Sequence, residues 1–297
     1  MKTCIICQIK DEREYIKEWA DHHLKIGFDH IFLYEDYESV SHADIFESYD
    51  NVDVIPMQEA GIYDYKSTFT QRVLYNTILQ KLKNGNTYDW AAFIDADEFI
   101  MLEEGYTLEK LCDEFKEYNG IWLGWKMFNA NGHIKHPEGS VIENYTNELK
   151  DEFNHHQIDC NQWNKKSFVN LHKAEGFWNI HIIADGVDTK LQNNPHFKPV
   201  YNKAWINHYF SKSWEDFCYR MQKKGNMRNC WRTYDLFFKQ NPELVKEMPK
   251  LLNEIRYEHT NGTMYISKIF GIISGGNIRT IEKIDNGELE NIHLIEI

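Results

Sequence analysis

The sequence predicts an α/β protein with a mostly parallel central sheet flanked by helices. Two observations carry this reading. Four short apolar runs of strand length, beginning at residues 3, 30, 52 and 90, alternate with segments of helical periodicity, the pattern that builds parallel sheets. Three of those runs end in polar or acidic residues: Lys10-Asp11-Glu12, Glu35-Asp36 and Asp95-Ala96-Asp97. In a parallel sheet such ends lie along one edge, where ligands of open α/β folds gather.

Each element has a local reason. Thr3 to Ile9 reads as a strand, and Asp11 with Glu14 makes a capping-box-like start for the helix that follows. Tyr15, Ile16, Trp19, His23 and Ile26 recur at helical spacing until Gly27 stops the run. His30 to Tyr34 is a second strand, Ser41 to Tyr49 a short helix, and Val52 to Met57 a third strand. Thr70 to Leu82 is a helix broken by Gly85 and Asn86, and Trp90 to Ile94 is a buried strand. Beyond it come a helix over Leu108 to Phe115, an aromatic run over Gly120 to Phe128, and a turn cluster at 129–132. Residues 143–166 are polar and aperiodic, which suits a mobile functional connection or lid. Strands are expected at Lys165 to Leu171, Trp178 to Ile183 and Lys203 to Ile206. Ser213 with Asp216 three residues on opens another helix, Leu244 to Tyr257 reads as the last, Gly275-Gly276 is a turn, and the tail holds one or two weak strands.

The stretch Trp90 to Met101, WAAFIDADEFIM, is the chemical centre. If the backbone stays extended, Asp95 and Asp97 face one side and Glu98 the other. Two hard oxygen donors on one side suit Mg²⁺ or Mn²⁺, which bind one or two carboxylates plus substrate phosphates. A solvated acidic loop would look the same. An EF-hand starting at Asp95 would need an oxygen ligand at Phe99, glycine at Ile100 and glutamate at Tyr106, and has none of them. A Mg²⁺ phosphohydrolase with Asp95 as nucleophile remains open. No G-x-G-x-x-G follows the first strand and no P-loop occurs, which disfavours a Rossmann dehydrogenase and a P-loop NTPase.

The 297 residues are enough for one large domain or two small ones. The net charge of −13 argues against non-specific nucleic-acid binding and against polybasic attachment to lipid. The first apolar run is too short for a signal peptide, and no run of about eighteen apolar residues would span a membrane. A cytoplasmic location is the expectation, with peripheral membrane association left open. Cys4 and Cys7 lie three apart in a strand and face opposite sides, so the six cysteines read as reduced structural thiols.

Four stretches together resemble glycosyltransferase family 92 and related family-2-like enzymes: KDEREYIKEWADHHLKIGFDHIFLYED, FIDADEFI, WKMFNANGHIKHPEG and INHYFSKSWEDFCYRMQKKGN. Asp11 stands where the family usually has Asn, and Asn129 where it usually has Gly. The resemblance implies a GT-A fold, a nucleotide-binding half fused to an acceptor-binding half around one sheet. It would occupy residues 1–235, with 1–101 holding the nucleotide, 102–235 the acceptor, and 236–297 forming a helical and weak-strand extension. It also implies a divalent metal and an inverting transfer from a UDP-sugar, with galactose the best guess, to a glycan or glycolipid acceptor in surface polysaccharide synthesis. By resemblance Asp95 would touch the ribose or the metal, Asp97 would bind the metal, and His208 would be a late ligand. Imidazole beside carboxylate then favours Mn²⁺ over Mg²⁺. On its own, without the resemblance, His208 reads first as a hydrogen-bonded core histidine.

The strand ends nominate Lys10, Glu12 and Asp36 for the donor. Gln71 and Arg72, opening the helix before the acidic motif, join them, with Arg72 suited to pyrophosphate. Trp125, Phe128 and Trp178 offer flat faces to an acceptor sugar, and His133 and His136 lie in the turn-rich segment beside them. The acceptor hydroxyl needs a general base, for which Glu138, Asp159 and Asp185 are weak candidates. A non-catalytic carbohydrate-binding protein is the remaining alternative.

Overall fold

The computed structural model describes residues 1–37, 39–62, 70–149, 165–177, 179–181, 183, 203–223, 234–247, 250–251, 280–285 and 288–293. The chain divides into two compact units whose segments interleave. The first comprises 1–128, 140–143 and 148–210, and the second 129–139, 144–147 and 211–297.

The first unit is built on one eight-stranded sheet. Its strands are β1 (Thr3–Ile9), β2 (His30–Glu35), β3 (Val52–Pro56), β4 (Trp90–Phe93), β5 (Glu98–Leu102), β6 (Gly120–Met127), β7 (Lys165–Asn170) and β8 (Ala204–His208). They lie in the order β3-β2-β1-β4-β7-β6-β8-β5. The pairs β3–β2, β2–β1, β1–β4 and β6–β8 are parallel, whereas β4–β7, β6–β7 and β5–β8 are antiparallel. The α/β expectation therefore holds, and a parallel half and a mixed half share one sheet, as the GT-A resemblance implies. Because β2, β1 and β4 are neighbours running the same way, their polar ends do fall along one edge.

β1 is buried along nearly its whole length, as a central strand covered on both faces must be. Cys4 and Ile6 join Leu74, Tyr75, Ile78 and Leu79 of α2 (Thr70–Gly85) in one core, with Ala91 and Phe93 of β4 and Val169 of β7. Truncating any of these leucines to alanine would cost about 2–5 kcal/mol. Gly120 opens β6 where a Cβ would come within 2.8 Å of the Phe168 carbonyl oxygen, so only glycine allows the strands to approach. The four cysteines among the described residues, Cys4, Cys7, Cys112 and Cys218, are buried free thiols.

α1 (Ile16–Lys25) starts later than the capping box predicts. Asp11 adopts a left-handed conformation (φ 51°) and its side chain accepts from the Val40 N–H, so it caps the loop after β2 rather than the helix. α1 instead clamps the outer edge of β5, a terminal strand. Trp19 Nε1 donates to the Glu98 carbonyl (2.7 Å), His22 Nε2 donates to the Ile100 carbonyl (2.7 Å), and His23 Nε2 accepts from the Ile100 N–H (3.1 Å). An edge that would otherwise expose its backbone groups is thereby closed. The expected helix at Ser41 to Tyr49 is a single 3₁₀ turn at Ala43–Phe46. α3 (Leu108–Glu114) is capped by Thr107, whose hydroxyl accepts from the Lys110 N–H. Of the strand expected over Trp178 to Ile183, Trp178 and Ile182 lie outside the described residues; Phe177 and Ile183 form an isolated bridge, and Asn179 Oδ1 accepts from the His181 N–H.

A short turn, α4 (Val141–Asn144), precedes the second unit's main helices, α5 (Trp214–Lys223) and α6 (Tyr234–Gln240). The predicted capping box at α5 is present: Ser213 Oγ accepts from the Asp216 N–H (3.1 Å), and the Ser213 N–H donates to Asp216 Oδ2 (3.3 Å). Pro242–Glu247 is 3₁₀, and 250–251 is the other described part of the helix expected to Tyr257. The tail forms an antiparallel hairpin of β9 (Thr280–Asp285) and β10 (Glu288–His293), while Gly275 and Gly276 lie outside the described residues. No helix among the described residues is long and apolar enough to cross a membrane.

Candidate active site

The chain leaves the sheet at Ile94, whose N–H still donates to the Ile6 carbonyl. It does not continue extended. The Glu98 N–H donates to the Asp95 carbonyl (3.1 Å), closing a tight turn, and β5 starts at once. The Glu98 carboxylate accepts from the Asp95 N–H (3.0 Å) and so folds back toward Asp95. That corrects the expectation that Glu98 faces the opposite side, since a turn does not keep the two-residue alternation of a strand.

Asp95 is surrounded by donors from two elements. Oδ1 accepts from Gln71 Nε2 (2.7 Å) and the Tyr75 hydroxyl (3.4 Å) of α2, and Oδ2 accepts from Lys166 Nζ (2.8 Å) of β7. Lys166 is wholly buried and also lies 3.9 Å from Glu98 Oε1. Burial works to raise the Asp95 pKa, but the adjacent ammonium outweighs it and holds the carboxyl below its usual range. For Lys166, burial pulls downward and Asp95 and Glu98 overcome it, so the lysine stays charged. Glu98 goes the other way. Burial, reinforced by Asp95 and Asp97, pushes it well above the carboxylate range and favours the neutral acid. Its Oε1 is buried with no hydrogen-bond partner among the described residues.

Asp97 meets a different environment. The β5–β8 register pairs Glu98 with His208, which brings His208 Nε2 to 3.5 Å from Asp97 Oδ2, both side chains being at most 5% exposed. The Tyr209 N–H donates to the Asp97 carbonyl. Trp125 of β6 stands edge-on to His208, with ring centroids 4.3 Å apart, and its Nε1 is buried with no hydrogen-bond partner among the described residues. His181 packs on the same indole (5.4 Å) and donates from Nδ1 to the Lys165 carbonyl. Its pKa is driven down to about 3, first by burial and then by the charge of Lys166.

A carboxylate and an imidazole side by side form part of a coordination shell. Mg²⁺ and Mn²⁺ complete such a shell with phosphate oxygens and water, and the mixed oxygen and nitrogen donor set suits Mn²⁺. No three His, Cys, Asp or Glu side chains among the described residues gather into a metal cage. Asp97 and His208 therefore fit a metal that shares its shell with a ligand.

The loops after β1 and β2 are tied together beside this turn. Lys10 Nζ lies 3.8 Å from Asp36 Oδ1, and His42 bridges the Glu12 N–H, accepted at Nε2, and Glu35 Oε1, to which Nδ1 donates. Arg72 lies next to Gln71 in the first turn of α2. Asp95 and Glu12 are both near enough to Cys7 that they add to burial in pushing its thiol up. The structure thus brings Asp95, Gln71, Asp97, His208 and Trp125 to one end of β4. Phe128 is buried against Tyr209 (5.2 Å), with its N–H on the His208 carbonyl. His133, stacked edge-on to Tyr145, His136, which pairs with Asp216 (3.1 Å), and Glu138, whose carbonyl accepts from Asn144, belong to the second unit. Asp159, Trp178 and Asp185 lie outside the described residues, as do residues 150–164 of the polar span.

Sequence reasoning missed Lys166, Tyr75 and His181. A signal for the first existed. Lys165 and Lys166 open a run that must be a buried strand, and consecutive strand residues face opposite sides. Lys165 lies over the Trp122 ring (3.9 Å), where burial lowers its pKa to about 8, and Lys166 turns to the carboxylates.

The profile of glycosyltransferase family 92 matches residues 2–260. A rice (Oryza sativa subsp. japonica) protein described as a glycosyltransferase family 92 protein is 20% identical over 221 residues, covering 72% of this chain and 34% of its own length. The chain thus spans about a third of that relative. Among solved structures, Staphylococcus aureus TarS 1–349 in complex with UDP matches at TM-score 0.32 and 20% identity, over 46% of this chain and 38% of that one. Glucosyl-3-phosphoglycerate synthase from Mycobacterium tuberculosis, in complex with Mn²⁺, UDP and phosphoglyceric acid, matches at TM-score 0.28 and 14% identity, over 44% of each chain. At these scores the structural likenesses carry no argument about this chain. The match over residues 2–260 does: the chain belongs to glycosyltransferase family 92.

Proposed function

We propose that this chain transfers a hexosyl group, galactose in the first instance, from a UDP-sugar to a hydroxyl of a glycan or lipid-linked acceptor, with inversion at the anomeric carbon. The observation that carries the proposal is the pairing at the end of β4 of two differently equipped carboxylates. Asp95 is held on both oxygens by donors from α2 and β7, and Asp97 shares a buried space with His208. In a family 92 chain, this supports a donor-orienting carboxylate beside a metal-holding one.

Asp97 and His208 would hold a divalent ion, Mn²⁺ ahead of Mg²⁺. When bound, that ion supplies positive charge to offset the leaving nucleoside diphosphate. Asp95, fixed by Gln71, Tyr75 and Lys166, would orient the nucleotide ribose. Lys10, Glu12 and Asp36 at the ends of β1 and β2 would border the base, and Arg72 would face the pyrophosphate. Trp125 would offer its apolar face to an acceptor sugar, with Phe128, His133 and Trp178 as the further residues proposed for that role. Glu138, Asp159 and Asp185 are proposed for proton removal from the acceptor. Surface polysaccharide assembly on the cytoplasmic side is the proposed setting.

A thermal-shift screen of nucleotides with and without Mn²⁺, followed by turnover of UDP-galactose, tests the proposal. A ligand that binds the native state raises its melting temperature by mass action. UDP with Mn²⁺ is expected to raise it more than either alone. Indifference to every nucleotide, combined with phosphate release from a generic ester, would favour the phosphohydrolase.

A further inference from the structure

Lys166 enters the chemistry above only as one of the partners that fix Asp95, yet it is the most unusual side chain near it. It projects from β7, is wholly buried, and meets Asp95 at 2.8 Å and Glu98 at 3.9 Å. Burying an ammonium is costly unless opposite charge meets it directly. Here the opposite charge is the first carboxylate of the acidic motif. The ammonium occupies Oδ2, while Gln71 and Tyr75 occupy Oδ1. The second carboxylate, Asp97, has the His208 imidazole 3.5 Å away.

We propose that Lys166 is a positioning residue that serves as a fixed internal cation for Asp95, removing it from the metal's ligand set so that the metal enters with the nucleotide rather than before it. The proposal rests on the transferase reading given above. With Asp95 neutralised from within, a divalent ion is left with one carboxylate and one imidazole. That donor set is incomplete until diphosphate oxygens arrive. A site of three competing acids would instead load metal on its own and hold it through product release. The built-in lysine therefore makes metal occupancy conditional on the donor.

The test is a Mn²⁺ titration followed by electron paramagnetic resonance, with and without UDP, on wild type, Lys166→Met and Lys166→Met/Asp95→Asn. Wild type is expected to bind Mn²⁺ weakly alone and tightly with UDP. Lys166→Met, shown folded by circular dichroism, should bind Mn²⁺ without nucleotide about tenfold more tightly, because ligand charge count sets affinity for hard cations. The double variant should return to the wild-type value. An unchanged nucleotide-free affinity in folded Lys166→Met overturns the proposal, and so does a gain that persists in the double variant. If Lys166→Met does not fold, Asp95→Asn and Asp97→Asn decide. At UDP concentrations that saturate each variant, Mn²⁺ affinity should fall far less in the first than in the second, and equal loss in both overturns the idea. Absence of Mn²⁺-dependent UDP binding in wild type would bring down the transferase reading instead, so the two failures are distinguishable.

Discussion

Two buried polar clusters meet at Glu98, and they differ in how completely they are satisfied. On the α1 side, the network closes on itself. His23 donates from Nδ1 to the Trp19 carbonyl and accepts at Nε2 from the Ile100 N–H, so one neutral tautomer is fixed, and Trp19 and His22 take the two nearest carbonyls of β5. On the other side, polar atoms are left over: Glu98 Oε1 and Trp125 Nε1 are buried with no hydrogen-bond partner among the described residues. Buried polar groups are ordinarily paired, so a closed network marks structure and an open one marks a place kept for something else. Residues only a few positions apart in β5 are therefore assigned to folding and to chemistry by hydrogen-bond count rather than by residue type.

The largest effect should come from breaking the open cluster. Asp97→Asn is expected to lower transferase activity about a hundredfold or more, since several kcal/mol of leaving-group stabilisation depend on the metal. Its melting temperature without ligand should stay close to wild type. Steady-state kinetics and calorimetry on the same preparation check both halves, and an active Asp97→Asn would remove the metal-ligand role.

Breaking the closed cluster should do the reverse. His23→Ala leaves the Ile100 N–H buried and unpaired, at a cost of about 2–4 kcal/mol of stability with little change in UDP affinity. The same histidine predicts a pH dependence. Burial holds His23 neutral in the folded protein, and lowers His22 as well, whereas the unfolded chain takes up a proton near pH 6.5. A folded pKa below the unfolded one means that this contribution is complete above pH 6.5 and is lost as pH falls. The loss approaches about 1.4 kcal/mol per histidine for each further pH unit. Urea unfolding at pH 7.5 and 5.5 measures it, and His23→Ala should flatten the slope.

The smallest effect sharpens the comparison at its rim. Trp125→Ala should raise the acceptor KM by about two- to tenfold, the size of one aromatic stacking contact, while leaving UDP binding intact. A matched loss of UDP–Mn²⁺ affinity would instead show that the indole serves to hold His208 in place.

What the sequence revealed follows the same division. β1 to β4 were legible because each is a short, largely apolar run alternating with helical segments, and the Ser213–Asp216 pair was legible because both partners lie within one helical turn. β5 was hidden because its first residue, Glu98, is also the last acid of the motif, and a strand that begins inside a turn has no separate boundary. The Asp11 cap failed because a neighbouring loop, rather than the helix, claimed its carboxylate. At the site, Asp95, Asp97 and His208 could be nominated from the motif and the resemblance. The strand that Lys165 and Lys166 open signalled that one of them is buried, but not its partner, which lies 71 residues away and is brought near by the antiparallel β4–β7 pairing. Partners set by sheet order are invisible to local pattern.

The most direct test of the open cluster as the donor and metal site is a crystal structure of the full chain with UDP and Mn²⁺. The account predicts Mn²⁺ coordinated by Asp97 Oδ2, His208 Nε2 and the diphosphate, with Asp95 still paired to Lys166. UDP bound away from the end of β4, or Mn²⁺ held without Asp97, would contradict it.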